Sequence, residues 1–97
     1  MTLYWLPIAQ EDRVEIYDHI ERDSPATAII VDDRIMKAVS KLTHFPEIGR
    51  PGRRPGTREL VIPRTPYIAA DRINGEAVEI LRIVRGARRW PPLKTKR

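Results

Sequence analysis

The sequence predicts an α+β domain in the order β-α-α-β-β-β, with a helical hairpin packed on one face of a small antiparallel sheet. Three observations carry this. Apolar residues recur every three or four positions through the first half, they gather into short strand-length runs in the second, and an Asn-Gly pair separates the last two runs. Helices segregated at one end of a chain are expected to cover one face of the sheet formed by the rest. With 97 residues, the chain has material for one small core. Residues 1–91 read as that single domain, and residues 92–97 as a basic, disordered tail.

Leu3, Tyr4, Trp5 and Leu6 form a β-prone run that Pro7 ends, because proline has no N–H for a ladder but fits the first turn of a helix. A helix is predicted from Ile8 to about Arg22. Ala9, Ile16, Tyr17 and Ile20 fall on one face, with Glu11, Asp12, Glu15 and Asp18 elsewhere on the wheel. Ser24 before Pro25 starts a second helix, since the serine oxygen can accept an orphan backbone N–H and proline loses nothing at the first position. Ala28, Val31, Ile35, Val39 and Leu42 make its apolar stripe, which ends near His44.

Between Pro46 and Gly56, prolines, glycines and arginines alternate, so this stretch is predicted to be an exposed basic connection. Strands are expected over Arg58 to Ile62 and Tyr67 to Ile73. Asn74-Gly75 then supplies the two positive-φ positions of a tight hairpin turn. Ala77 to Val84 is the last and most apolar run and is expected to be a strand that is central or covered on one face.

Charge is distributed unevenly. Residues 1–44 carry five basic and eight acidic side chains, a net of −3; residues 45–97 carry thirteen and five, a net of +8. The excess is mostly arginine, whose planar fork suits carboxylates and phosphates. Arg50, Arg53, Arg54, Arg58, Arg82, Arg85, Arg88 and Arg89 are therefore read as a collective basic patch for an anionic partner. Trp90, directly after two arginines, is either a buried anchor or an interface hot spot. The absence of cysteine removes disulfides and thiolate metal sites and suits a reducing cytoplasm. No apolar stretch approaches the roughly 20 residues that span a bilayer. The expectation is a soluble, cytoplasmic protein without membrane contact.

Several blocks now point to a family. Phe45-Pro46-Glu47-Ile48-Gly49-Arg50, Gly56-Thr57-Arg58-Glu59-Leu60-Val61, Pro66-Tyr67-Ile68, and the run from Val78 through Arg82, Arg85, Arg88, Arg89 and Trp90 to Pro91 resemble the RelE/ParE toxins of type II toxin–antitoxin systems. The resemblance spans Leu3 to Pro91 and is closer to ParE than to RelE. Two positions depart from it: Arg13 stands where the family usually has an apolar residue, and Asp71 where it usually has a tyrosine. Asp71 is expected to pair locally with Arg72.

The superfamily divides into ribosome-dependent mRNA endonucleases and poisons of DNA gyrase. Cleaving RNA through its 2′-hydroxyl needs a proton acceptor, a cation for the phosphorane and a proton donor. RelE-like nucleases carry an arginine after the residue matching Tyr67, where this chain has Ile68. No tyrosine or histidine follows Arg85. His19 and His44 are read as structural and remote from the arginines; their spacing makes no metal site. Glu47 and Glu59 are candidates for a general base, but the commoner reading of such residues is as solvated loop and strand-edge carboxylates. No catalytic residue, metal or cofactor is assigned.

The resemblance therefore implies a ParE-like toxin that inhibits DNA gyrase without being an enzyme. An mRNA endonuclease acting at the ribosome, with Arg50, Arg58 and Arg85 as phosphate-neutralising cations, is the alternative. A simple nucleic-acid-binding module comes third. Either toxin reading implies a cognate antitoxin whose acidic, flexible tail wraps the toxin. Its expected contacts are Trp5, Ile16, Ile20, Val31, Ile35, Arg58 and Arg82. The target-binding set is Arg50, Arg53, Arg54, Arg58, Arg82, Arg85, Arg88, Arg89 and Trp90.

Overall fold

The computed structural model describes residues 1–86. The roles expected of Arg88, Arg89, Trp90 and the 92–97 tail lie outside these residues. The elements are β1 (Thr2–Trp5), α1 (Pro7–Glu21), α2 (Pro25–Ser40), a 3-10 turn (Lys41–Thr43), β2 (Arg50–Pro51), β3 (Arg58–Val61), β4 (Tyr67–Asn74) and β5 (Ala77–Arg85). The predicted order holds, with the two-residue β2 as an addition.

The five strands form one sheet in the order β1-β5-β4-β3-β2. All neighbours are antiparallel except β1, which pairs parallel with β5 through Leu3↔Val78 and Trp5↔Ile80. The expectation of a wholly antiparallel sheet is corrected here, and the connections explain why. The helical hairpin and the three later reversals leave the final strand running in the direction of the first. As expected, β5 is central, and it brings Val78 and Ile80 to zero exposure.

The helices form because their ends are specified. Pro7 and Pro25 each occupy the first turn, and the Ser24 side chain accepts from the Thr27 N–H at 3.2 Å. Helix α2 delivers Ala28, Val31, Ile35, Ala38 and Val39 to the core, following the predicted stripe. Helix α1 is less regular. Asp12, placed by the wheel away from the core, is 9% exposed and points at β5.

The β4–β5 reversal is displaced by one residue from its predicted position. Asn74 pairs with Ala77, so the turn is Gly75-Glu76. Only its first residue has positive φ, at +63° for Gly75. Glycine at the first central position with an ordinary residue after it suits a type II′ reversal, so asparagine was not needed in the turn.

One sheet face carries the main core: Leu60, Ile62, Tyr67, Ala69, Ile73, Val78, Ile80 and Ile83 meet the helices. The opposite face has a small cluster of Ile68, Ala70 and Val84 with Leu81 against it. The register of β4 and β5 shifts between Ala70 and Asp71, so Leu81 has no partner directly opposite.

Candidate partner-binding surface

The arginines of the second half divide by what holds them. On the helix-free face, the loop after β2 is anchored to Glu59 of β3. Its carboxylate accepts from Arg50 Nη2 at 3.3 Å and from the backbone N–H of Arg53 at 3.3 Å, with Arg53 Nε 3.5 Å away. Glu59 is 3% exposed, which corrects its reading as a solvated strand-edge carboxylate. A buried carboxylate held by two cations and an N–H costs little, because its lost hydration is replaced. The preceding segment lies tightly on β3: a side chain at Gly49 would stand 3.1 Å from Arg58 Cβ and 3.2 Å from the Glu59 backbone.

Arg53 also donates to the carbonyl of Gly86 at 3.4 Å, one residue beyond Arg85. The basic loop is thereby tied to the end of β5. Arg50, Arg53, Arg54 and Arg85 are all exposed, and this tie links the loop cations with that of β5. Arg58 is half-buried and lies 3.8 Å from Glu47 of the loop behind it.

The second group lies at the side of β5 that faces α1. Arg82 donates from Nε and Nη2 to Asp12 at 2.7 and 3.0 Å, and the Ile83 N–H donates to the same carboxylate at 3.0 Å. Strand β1 pairs with β5 only as far as Ile80, so Asp12 supplies the acceptor that a longer β1 would have provided. Arg82 therefore ties α1 to the sheet, with its fork committed to Asp12. Its hydrogen bonds to the Asp12 carboxylate also raise the Arg82 pKa above its ordinary value.

Arg85 makes no ion pair among the described residues; it lies over the Tyr67 ring, 5.8 Å from the centroid. Two adjoining clefts open here. The first, about 280 Å³, lies between α1 and the end of β5 and includes Asp12, Glu15, Ile16, His19 and Arg82. The second, about 440 Å³, lies at the turn between the helices and includes Ile20, Ser24, Thr27, Val31 and Pro66. Both share His19, Tyr67 and Arg85. This corrects the placement of His19 away from the arginines: α1 lies beside β5, and its last turn brings the imidazole to the cleft of Arg85.

The expected antitoxin contacts separate on burial. Ile16 and Ile20 are half-buried and open to the clefts, and Val31, 7% exposed, forms part of a wall. Ile35 is fully buried, so a docking chain does not reach it in this arrangement. Trp5 is half-buried with the Arg13 guanidinium 5.9 Å above its ring. Arg13 itself forms a two-pronged pair with Asp32 of α2 at 2.7 and 3.0 Å. Donating to the Asp32 carboxylate raises the Arg13 pKa above its ordinary value.

Sequence reasoning missed four residues of this region as partners in it: Asp12, His19, Glu59 and Tyr67. Tyr67 and Glu59 stood in family blocks; Asp12 and His19 carried no signal. The expected Asp71–Arg72 pair does not form, because adjacent strand residues point to opposite faces. Arg72 holds Glu79 instead, and that bond keeps the Glu79 carboxyl below its ordinary pKa. Among the described residues no group of three or more His, Cys, Asp or Glu side chains is placed to hold a metal. No helix among them is long and apolar enough to cross a membrane.

Two helices packed on a five-stranded mixed sheet match the fold of chains from two solved toxin–antitoxin structures. The chromosomal ParDE system from P. aeruginosa contains a chain that superposes with a TM-score of 0.79 at 35% identity, covering 88% of this chain and 95% of that one. A chain of the toxin–antitoxin complex RelBE2 from Mycobacterium tuberculosis superposes with a TM-score of 0.54 at 26% identity, covering 87% and 95%. A Sinorhizobium fredii (strain NBRC 101917 / NGR234) protein named "Putative toxin Y4kP" is 46% identical over 77 residues, 79% of each chain. Residues 3–90 match the family described as ParE toxin of type II toxin-antitoxin system, parDE. The chain belongs to that family.

Proposed function

We propose that this ParE-family toxin inhibits DNA gyrase and is held inactive by a cognate antitoxin. The observation that carries the reading is the family match across residues 3–90, joined to a basic surface in which Arg50, Arg53, Arg54 and Arg85 are exposed. Exposed guanidinium groups suit an anionic partner surface, such as the acidic patches of a protein or the phosphates of DNA it holds. Toxicity then comes from binding, with no bond made or broken by the toxin.

The antitoxin is proposed to seat an acidic, amphipathic segment in the two clefts that share Tyr67 and Arg85. Ile16, Ile20 and Val31 offer apolar contact, and Arg85, which has no ion pair among the described residues, offers its fork to a carboxylate. An ordering tail of this kind would bury surface that the free toxin exposes. The chain's location is proposed to be the cytoplasm, where both partners act.

A second reading, mRNA cleavage at the ribosome, is favoured by one observation: His19 and Tyr67 line the same cleft as Arg82 and Arg85. A histidine, a tyrosine and cations are the groups that such cleavage needs. Induction of the chain alone in bacteria separates the two. Filamentation with DNA damage is the expected outcome. Immediate translation arrest, with codon-positioned cuts that disappear in His19→Ala or Arg85→Ala, would replace the gyrase reading with the nuclease one.

A further inference from the structure

Asp71 is the one described buried carboxylate for which no partner atom is present. It is 0% exposed, and both of its oxygens lack a hydrogen-bond partner. Directly opposite on β3 stands Arg58. Side chains so paired have Cβ atoms about 4.5–5.5 Å apart, within easy reach of a guanidinium. Arg58 is instead turned to Glu47, at the loose distance of 3.8 Å, and Glu47 is 74% exposed. A cation is thus engaged with a weak surface partner while a buried acid beside it has none.

That arrangement is stable only for one proton state. An ionised carboxylate without a partner in an apolar core costs several kcal/mol, whereas its neutral form costs far less. Burial pushes the Asp71 carboxyl up to about 6, and Arg58 acts against the shift. Around it, β5 presents Ile80 at the paired position and β4 presents Ala69 and Ile73 on the same face. The helical layer adds Val39 and Leu42 to this core, while Lys41 and His44 at its end are exposed. Arg72 and Glu79 face the other side and hold each other. Glu47 and Arg58 are therefore the charged groups that can respond.

We propose that Arg58 is a two-position latch: it rests against Glu47 while Asp71 carries a proton, and crosses the β3–β4 pair onto Asp71 when that proton leaves to water. The surface beside the Glu47–Gly49 segment then gains or loses a guanidinium with proton release. The inference concerns this chain's own side chains and does not depend on which target the toxin has.

The test is NMR titration of the full chain from about pH 4 to about pH 8, following the Asp71 carboxyl carbon and the Arg58 Nε–H together. Both should report one shared midpoint, with Arg58 Nε–H exchange slowing by about tenfold above it. Asp71→Asn should abolish the Arg58 transition. Glu47→Gln, which frees Arg58, should lower the Asp71 midpoint. The latch is overturned if Arg58 stays flat while Asp71 titrates, or if its transition persists in Asp71→Asn. Should that variant fail to fold, the coincidence of midpoints in the unmodified chain and the direction of the Glu47→Gln shift still decide it.

Discussion

Asp12 on the first helix accepts three hydrogen bonds from residues 70 and 71 positions later, two from the Arg82 guanidinium and one from the Ile83 N–H. This fastens the helical hairpin to the central strand at the point where β1 ends. Asp12→Ala leaves the Arg82 charge and a buried N–H without an acceptor. We expect a loss of about 2–4 kcal/mol, a large share of the stability of so small a domain. Urea unfolding checks this. Asp12→Asn, which keeps an acceptor for one donor, should fall between the two.

Asp71 makes stability depend on pH in a definite sense. Its folded pKa of about 6 lies above the unfolded value of 3.8, so the folded state binds the extra proton between these values. Stability from this group is full below about pH 4 and is lost as pH rises through about 6, by up to about 3 kcal/mol. Asp71→Asn should unfold at higher urea than the unmodified chain at pH 8 and should flatten this part of the profile. An unchanged profile would mean that Asp71 is ionised and partnered in solution.

Glu59 holds the basic loop on the sheet through Arg50 and Arg53. Glu59→Ala removes the acceptor shared by the Arg50 guanidinium and the Arg53 N–H and should cost about 1–3 kcal/mol. Limited proteolysis should then cut the loop between Arg50 and Arg58 faster than in the unmodified chain, with β4 and β5 still protected.

The α2 cap gives a smaller effect. Ser24→Ala removes the acceptor for the Thr27 N–H and should cost about 1 kcal/mol, with the loss of helicity confined to the first turn. A loss well beyond that would show that Ser24 also supports the cleft into which it opens.

Much of the fold was legible because local chemistry fixed it. The Ser24-Pro25 start and the stripe from Ala28 to Leu42 placed α2, and the apolar run from Ala77 placed the central strand. What escaped was non-local. The parallel pairing of β1 depends on the number of chain reversals, which no residue of β1 encodes. Asp12 looks like a solvated helix carboxylate until the early end of β1 leaves an N–H for it to accept.

The site was legible only in outline. A second-half arginine excess signalled a basic surface, but pattern could not tell the exposed Arg85 from Arg82, which is committed to Asp12. His19 lies 66 positions before Arg85 in sequence, and only the packing of α1 beside β5 brings them to one cleft. Glu59 follows strand alternation outward, and its burial comes from the loop folding over it.

Gyrase binding through a basic surface that includes Arg85 is the proposed mode of action. Its most direct measurement is ATP-dependent supercoiling by purified gyrase with the purified toxin added in increasing excess. Loss of supercoiling with accumulation of cleaved DNA is the expected result, weakened in Arg50→Ala and Arg85→Ala and unchanged in His19→Ala. Full supercoiling at large toxin excess, from protein that still arrests growth when induced, would contradict it.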